Sequence, residues 1–264
     1  MLKRCWWIIA ITFLAGCATT APDMTQLDKP FDIGGSQADR VVIGVLDSRS
    51  DVVSGKKAAT VIGQYQLRYG APYDAHTFSK KPMAEDFSDK LVELLDGKFR
   101  KLTPVLLKPS VGHDAAVDQL LKHEAEKFVL ITLKEWTSLT SSMTTLDFDA
   151  QLEVFNADKE LLAYKRTKGE DTYGGNMVAG PITNSKAVLP HAFRQKMKAL
   201  FEAPMVKLAL TEAKPIPIIE TAAVVSVSGE IVPQACTVVQ VLYWKNSGMP
   251  DDEILSRCEA VIAK

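Results

Sequence analysis

The stretch with the most definite chemistry is Leu14-Ala15-Gly16-Cys17, a thiol closing a short apolar run behind Lys3 and Arg4. Other reactive side chains are dispersed. His76, His113, His123 and His191 share no local spacing with one another or with a cysteine. Surface or helix positions suit them better than catalysis or metal ligation. No GxSxG, HExxH, Walker loop or GxGxxG occurs, so the local signatures of acyl transfer, zinc hydrolysis and nucleotide binding are missing. Asp147 and Asp149 lie two apart on one strand face, within reach of a cation, but a solvated strand face explains them better. Gly174, Gly175 and Gly180 could form an anion nest; without Lys or Arg between them, a mobile loop is the better reading. This inventory points away from an enzyme and names no metal and no cofactor. A hydrolase stays as the weakest alternative.

The elements that position Cys17 come first. Cys5 to Ala15 is an eleven-residue, almost wholly apolar run. A membrane-spanning helix needs about 20 such residues. A basic head, a short apolar core and small residues before a break read as a secretory signal. Leu14-Ala15-Gly16-Cys17 resembles the lipobox of bacterial lipoproteins at all four positions. An ordinary secreted protein with a chance cysteine is the alternative. The resemblance implies cleavage before Cys17, a thioether-linked diacylglycerol on its sulfur and acylation of the new amine. Each buried methylene contributes about 0.8 kcal/mol and one chain is marginal, so three chains make a lasting anchor. Ala18, not an aspartate, follows the cysteine, which resembles the pattern sorted to the outer membrane. The expected location is the outer membrane, lipid-anchored and facing the periplasm.

Removal of residues 1–16 leaves 248, enough for one sizeable domain with an appendage or for two small domains. A hydrophobic fraction of 47% supports a packed core. Loss of Lys3 and Arg4 takes the formal charge from −1 to −3. A near-neutral chain without a basic patch argues against nucleic acid as a partner. Cys236 and Cys258 lie 22 residues apart, with no CxxC and no nearby histidine, which makes a poor zinc site. Outside the cytosol a Cys236–Cys258 disulfide is the preferred reading, with two buried free thiols as the alternative.

Residues 17–39 carry Thr, Pro, Gly and Asp and read as a lipidated flexible tether. At 22 flexible residues beyond Cys17 its reach is roughly 25 Å. A strand around Phe31–Ile33 is the alternative. The run Val41 to Leu46 is apolar on both faces, as a central strand would be, and Asp47-Ser48-Arg49-Ser50-Asp51 is a polar loop. Val61–Gly63 suggests a short strand, and Tyr65, Leu67 and Tyr69 alternate as an edge strand or ordered loop. Met83, Phe87, Leu91 and Leu94 line one face of a helix over 82–95. A strand at 103–107, a helix at 115–126 and a second two-faced strand at 128–133 follow, with Trp136 near its end. Leu146, Phe148, Ala150, Leu152 and Val154 alternate with Asp147, Asp149, Gln151 and Glu153. That pattern predicts a half-buried strand with one wet face, paired as a hairpin with 161–166. Residues 169–181 read as a loop, and a helix spans 185–201, with a last segment ending near Leu210. Beyond Pro215 and Pro217, Asp251 to Ile262 looks helical and pairs with the apolar arm 236–244.

This order of strands and helices, taken with the lipobox, resembles the YajG-like family of bacterial lipoproteins over about residues 40–210. More distantly it is similar to envelope α/β modules such as the lipoprotein activators of penicillin-binding proteins. The resemblance implies an α/β fold of mixed sheet and packed helices, tethered in the envelope, and supplies no catalytic residues. The expected organisation is a signal peptide (1–16), a tether (17–39), an α/β sandwich domain (40–212) and a Pro-rich linker with a helical hairpin (213–264). The expected function is a non-catalytic binding or assembly module with an envelope protein or polymer as partner. Trp136 and Tyr173 are candidate partner contacts, since aromatics are favoured at interfaces, although Trp136 also suits a core. The alternative is a structural component that self-associates through the C-terminal module.

Overall fold

The computed structural model describes residues 29–34, 39–176 and 178–211. The elements run β1 (Arg40–Asp47), α1 (Ser50–Val53), β2 (Val61–Tyr65), β3 (Tyr73–His76), α2 (Met83–Leu94), β4 (Lys101–Leu106) and α3 (His113–Leu120). They continue with β5 (Lys127–Thr140), β6 (Thr144–Phe155), β7 (Leu161–Tyr173), α4 (Gly180–Phe201) and α5 (Pro204–Thr211). The fold is α/β, as the strand and helix order predicts: one mixed seven-stranded sheet with helices packed on it.

The sheet is built around β5. One of its edges pairs antiparallel with β6, from Phe128↔Phe155 to Thr140↔Thr144. The other edge is shared. β1 lies parallel to its first half, from Val41↔Lys127 to Asp47↔Leu133. β2 lies parallel to its end, from Gly63↔Ser138 to Tyr65↔Thr140. β4 extends the sheet beyond β1, β3 folds back on β2, and β7 is the hairpin partner of β6. Gly63 adopts φ 153° and a Cβ there would sit 2.1 Å from the Ser138 carbonyl oxygen, so β2 reaches β5 only through glycine.

Alternation divides β1 between two cores. Val41, Ile43 and Val45 join α2, α4 and α5 on one face. Val42 and Leu46 join α3, Phe128, Leu130 and Phe155 on the other. Each such fully buried aliphatic or aromatic side chain contributes roughly 1.5–3 kcal/mol. On the second face a Cβ at Gly44 would meet the Leu120 side chain at 2.8 Å and that of Leu107 at 2.9 Å. The missing side chain is what lets α3 seat on the strand.

Several expectations are corrected. Residues 29–34 do not behave as a free tether: Phe31 and Ile33 are fully buried, and Phe31 stacks on Phe201 at 5.6 Å. Its backbone N–H also donates to the Leu94 carbonyl at 3.0 Å. Two large apolar side chains outweigh the Pro- and Gly-rich composition around them. Of the two readings of the alternation at 65–69, the edge strand does not hold past Tyr65, where β2 stops, and the loop does: Tyr69 is 81% exposed. The returning strand is β3, whose Tyr73 packs on Tyr65 at 5.5 Å. Residues 169–173 belong to β7, not to a loop, paired with Phe148 to Thr144. Their side chains are mostly polar, so the ladder rests on backbone hydrogen bonds that periodicity does not register. The expected wet face of β6 is mostly covered: Asp149, Gln151 and Glu153 are all buried, and only Asp147 is exposed. Cys17, Cys236, Cys258, the tether over 17–28 and the helical hairpin over 213–264 lie outside the described residues.

Candidate functional site

β5 runs on past the end of β1, and β2 joins the same edge further along. The chain between Ser48 and Thr60 must bridge that junction. Its anchor is a buried ion pair. The Asp47 carboxylate accepts from Arg49 Nε at 2.9 Å and from Nη2 at 2.7 Å. Arg49 Nη1 donates to the Val61 carbonyl at 2.7 Å and to the Trp136 carbonyl at 3.2 Å. The side chains are 1% and 7% exposed for Asp47 and Arg49 respectively. The guanidinium thus ties the end of β1 to the start of β2 and to β5, beside the bulge between Leu133 and Glu135. A fork of fixed donors suits this task, where a lysine would offer only a point charge.

Above that junction lies a cleft of about 1010 Å³. Its floor is the sheet face beyond α3, with Thr137 and Glu135 from β5, Asp147 and Asp149 from β6, and Lys168 from β7. Its wall is the segment from Arg49 to Lys57, including α1. The charge is mixed. Lys57 is held by Asp74, and that contact keeps the Asp74 carboxyl below its usual range. Lys56 pairs with Asp51 at 3.2 Å. Asp149 is gripped by Arg166 through both carboxylate oxygens, and that hydrogen bonding raises the Arg166 pKa. Lys134, Lys168 and Asp147 have no ion pair among the described residues and point their charge into the opening.

At the other end of the same face, α3 closes over the sheet. His113 Nε2 meets the buried Glu153 carboxylate at 2.7 Å, and this hydrogen bond raises the His113 pKa against the opposing effect of burial. No local pattern marks this pair, whose members stand 40 residues apart.

The remaining sequence candidates fall elsewhere. Asp147 and Asp149 do share the cleft face, but Arg166 rather than a cation neutralises Asp149. Among the described residues no cluster of three His, Cys, Asp or Glu could hold a metal. Trp136 is 3% exposed on the opposite face, in edge contact with Phe87 at 5.0 Å. It floors an apolar groove of about 370 Å³ between α2 and α4, whose rim carries Phe78, Lys90 and Arg194. Tyr173 is half-buried against the main core, its hydroxyl donating to Asp171 at 3.1 Å. Burial, reinforced by the Asp171 charge, raises its pKa. Both aromatics are therefore engaged with their own chain, and neither lies in the cleft. His76 meets the Thr60 hydroxyl at 2.9 Å, and His191 stands edge-on to Tyr173 at 6.4 Å. Arg49 is the site residue that motif reading passes over; the Asp-x-Arg spacing directly after a two-faced apolar strand is the signal that marks it.

No family model and no curated protein match the chain. Among solved structures it is similar to a Xanthomonas campestris protein of the DUF330 family model, at 10% identity and TM-score 0.39, over 69% of this chain and 88% of that one. It is also similar to the PelC dodecamer from Paraburkholderia phytofirmans, at 9% identity and TM-score 0.35, over 68% of this chain and 92% of that one. A third likeness is to a putative neuraminyllactose-binding hemagglutinin homolog from Helicobacter pylori, at 8% identity and TM-score 0.27, over 70% of this chain and 89% of that one. Likenesses at these scores carry no functional argument.

Proposed function

We propose that this chain is a non-catalytic binding module of the bacterial cell envelope, held at the outer membrane through lipid on Cys17. Its cleft receives a hydrophilic partner, an envelope protein or polymer, that presents both signs of charge. The observation that carries this reading is the cleft itself: an open polar sheet face, backed by a buried ion pair, with Lys134 and Asp147 unmatched within it. Water-exposed charges of both signs give register and specificity to an encounter more than raw affinity. A Cys236–Cys258 disulfide belongs to the same reading, since the periplasm permits one. The lipidation motif supports the location, and the scarcity of clustered nucleophiles and bases supports binding over hydrolysis.

The test places a photo-crosslinking side chain at Thr137 in the cleft and, as a control, at Leu208 in α5, which is 37% exposed. In intact cells Thr137 should yield a discrete adduct that Leu208 does not. Equal yields at both positions would count against the cleft. Cys17→Ala should release the protein from the membrane fraction or leave it uncleaved. Unchanged fractionation and mature mass would remove the anchor from the proposal.

A further inference from the structure

Among the described residues, the last strand of the sheet has an open edge. Among the described residues β7 pairs with β6 alone, over thirteen residues without a proline, and its only register shift lies at the Leu161 end. An edge of this length presents a row of unpaired N–H and C=O groups to any matching strand. Charged side chains usually guard such an edge. Here they are ordered, with Lys165, Arg166 and Lys168 in the first part and Glu170 and Asp171 in the second.

We infer that β7 pairs antiparallel with β7 of a second copy of this chain, about a twofold axis through Gly169. Only alternate residues of an edge strand turn their backbone groups outward, so a symmetric pairing must match residues of like parity. That restricts the axis to a residue, not a midpoint. An axis at Arg166 opposes two arginines. An axis at Thr167 sets Arg166 against Lys168, and one at Lys168 opposes two lysines. An axis at Glu170 opposes two glutamates. At Gly169 every clash disappears. Lys168 of each copy faces Glu170 of the other, Thr167 faces Asp171, Arg166 faces Thr172 and Lys165 faces Tyr173. The glycine at the axis is exposed and brings no side chain to the crossing. A Cβ on it would stand 3.2 Å from the Phe148 ring of its own chain.

Lys168 and Glu170 are the charged groups of opposite sign that this register sets directly across from each other. Both are exposed, and neither has an ion partner among the described residues. Within its own sheet Glu170 stands directly across from Asp147. Like charges in that position repel. A lysine from the second copy relieves this, while Asp171 keeps Lys196 and Arg166 keeps Asp149. The overlap of residues 165–173 is about 30 Å long at roughly 3.4 Å per residue. Directly opposed side chains share a face, so the two clefts open on the same side of one continuous sheet. The surface is small, as in weak and transient complexes.

Sedimentation equilibrium of the full chain in density-matched detergent tests this. The unaltered chain should show a monomer–dimer equilibrium that weakens with salt. Lys168→Glu and Glu170→Lys each place like charges twice across the axis and should weaken the dimer about tenfold. The double variant Lys168→Glu/Glu170→Lys restores opposite pairs and should recover the dimer to within about threefold. A chain that stays monomeric at every concentration overturns the inference, as does a dimer indifferent to the single reversals or not recovered by the double one.

Discussion

Replacing Arg49 by methionine tests whether the junction of β1, β2 and β5 depends on its buried ion pair. The change keeps most of the apolar stem and removes the guanidinium. It strands the Asp47 carboxylate, 1% exposed, without its two charged donors. It also removes a donor from the Val61 and Trp136 carbonyls. Removing one partner of a buried pair costs about 3–5 kcal/mol, because the remaining charge is desolvated without compensation. For a domain of this size each kcal/mol shifts the melting temperature by about 2–4 °C, so the expected loss is roughly 6–20 °C. Urea unfolding followed by circular dichroism gives the free energy directly. A second substitution checks the cause. Asp47→Asn in the Arg49→Met background deletes the stranded charge and should return part of the lost stability. Arg49→Lys should fall between, because one ammonium cannot serve the carboxylate and both carbonyls in the same fork geometry. A loss below about 1 kcal/mol for Arg49→Met, or no recovery in the double variant, would refute the reasoning.

Other outcomes follow from single contacts. His113 has its pKa raised by Glu153, so its contribution is complete below its ordinary value of 6.5 and is lost as pH rises through the higher folded value. The urea midpoint should therefore fall with rising pH in that window, and His113→Gln should flatten the slope; an unchanged slope would dismiss the pair. Phe31→Ala should lower stability by about 3–5 kcal/mol, as for a large buried aromatic, whereas a change below about 1 kcal/mol would return residues 29–34 to the tether. Asp149→Asn should cost about 1–3 kcal/mol by breaking a partly buried bidentate pair, while Asp147→Asn should stay within about 0.5 kcal/mol. Equal effects at the two aspartates would mean that the cleft face is not divided as described.

Much of the fold was legible because burial leaves periodic traces. Val41–Leu46 and Phe128–Leu133, apolar on both faces, became the paired central strands, and the Met83, Phe87, Leu91, Leu94 stripe became α2 against the main core. What periodicity missed was held by other forces. The far end of β7 is a backbone ladder carrying Lys168, Gly169, Glu170 and Asp171, and α4 begins five residues before its apolar stripe predicts. Phe31 and Ile33 are two residues in a polar stretch, too few to make a pattern, yet both are fully buried. The candidate site was harder still. Asp147 and Asp149 could be placed on one face, but the contacts of Arg49 with Val61 and Trp136 span 12 and 87 residues. No local spacing encodes them.

The cleft follows from a mismatch of lengths. α3 has eight residues and spans about 12 Å. β6 has twelve and runs about 40 Å. One short helix cannot cover that face. The four polar residues Asp147, Asp149, Gln151 and Glu153 look equivalent in the sequence, yet they meet different surroundings along the strand. Glu153 lies under α3 and needs His113; Asp149 lies beyond the helix and needs Arg166; Asp147 lies past both and is exposed. Moving toward the uncovered end, the same alternation changes from a buried network to a charged surface. The residues that neither the fold nor the paired β7 edge consumes, Asp147 and Lys134, are left at that end. They border the segment that Arg49 ties to β2 and β5, so the part of the sheet free to bind has a wall anchored by a buried ion pair.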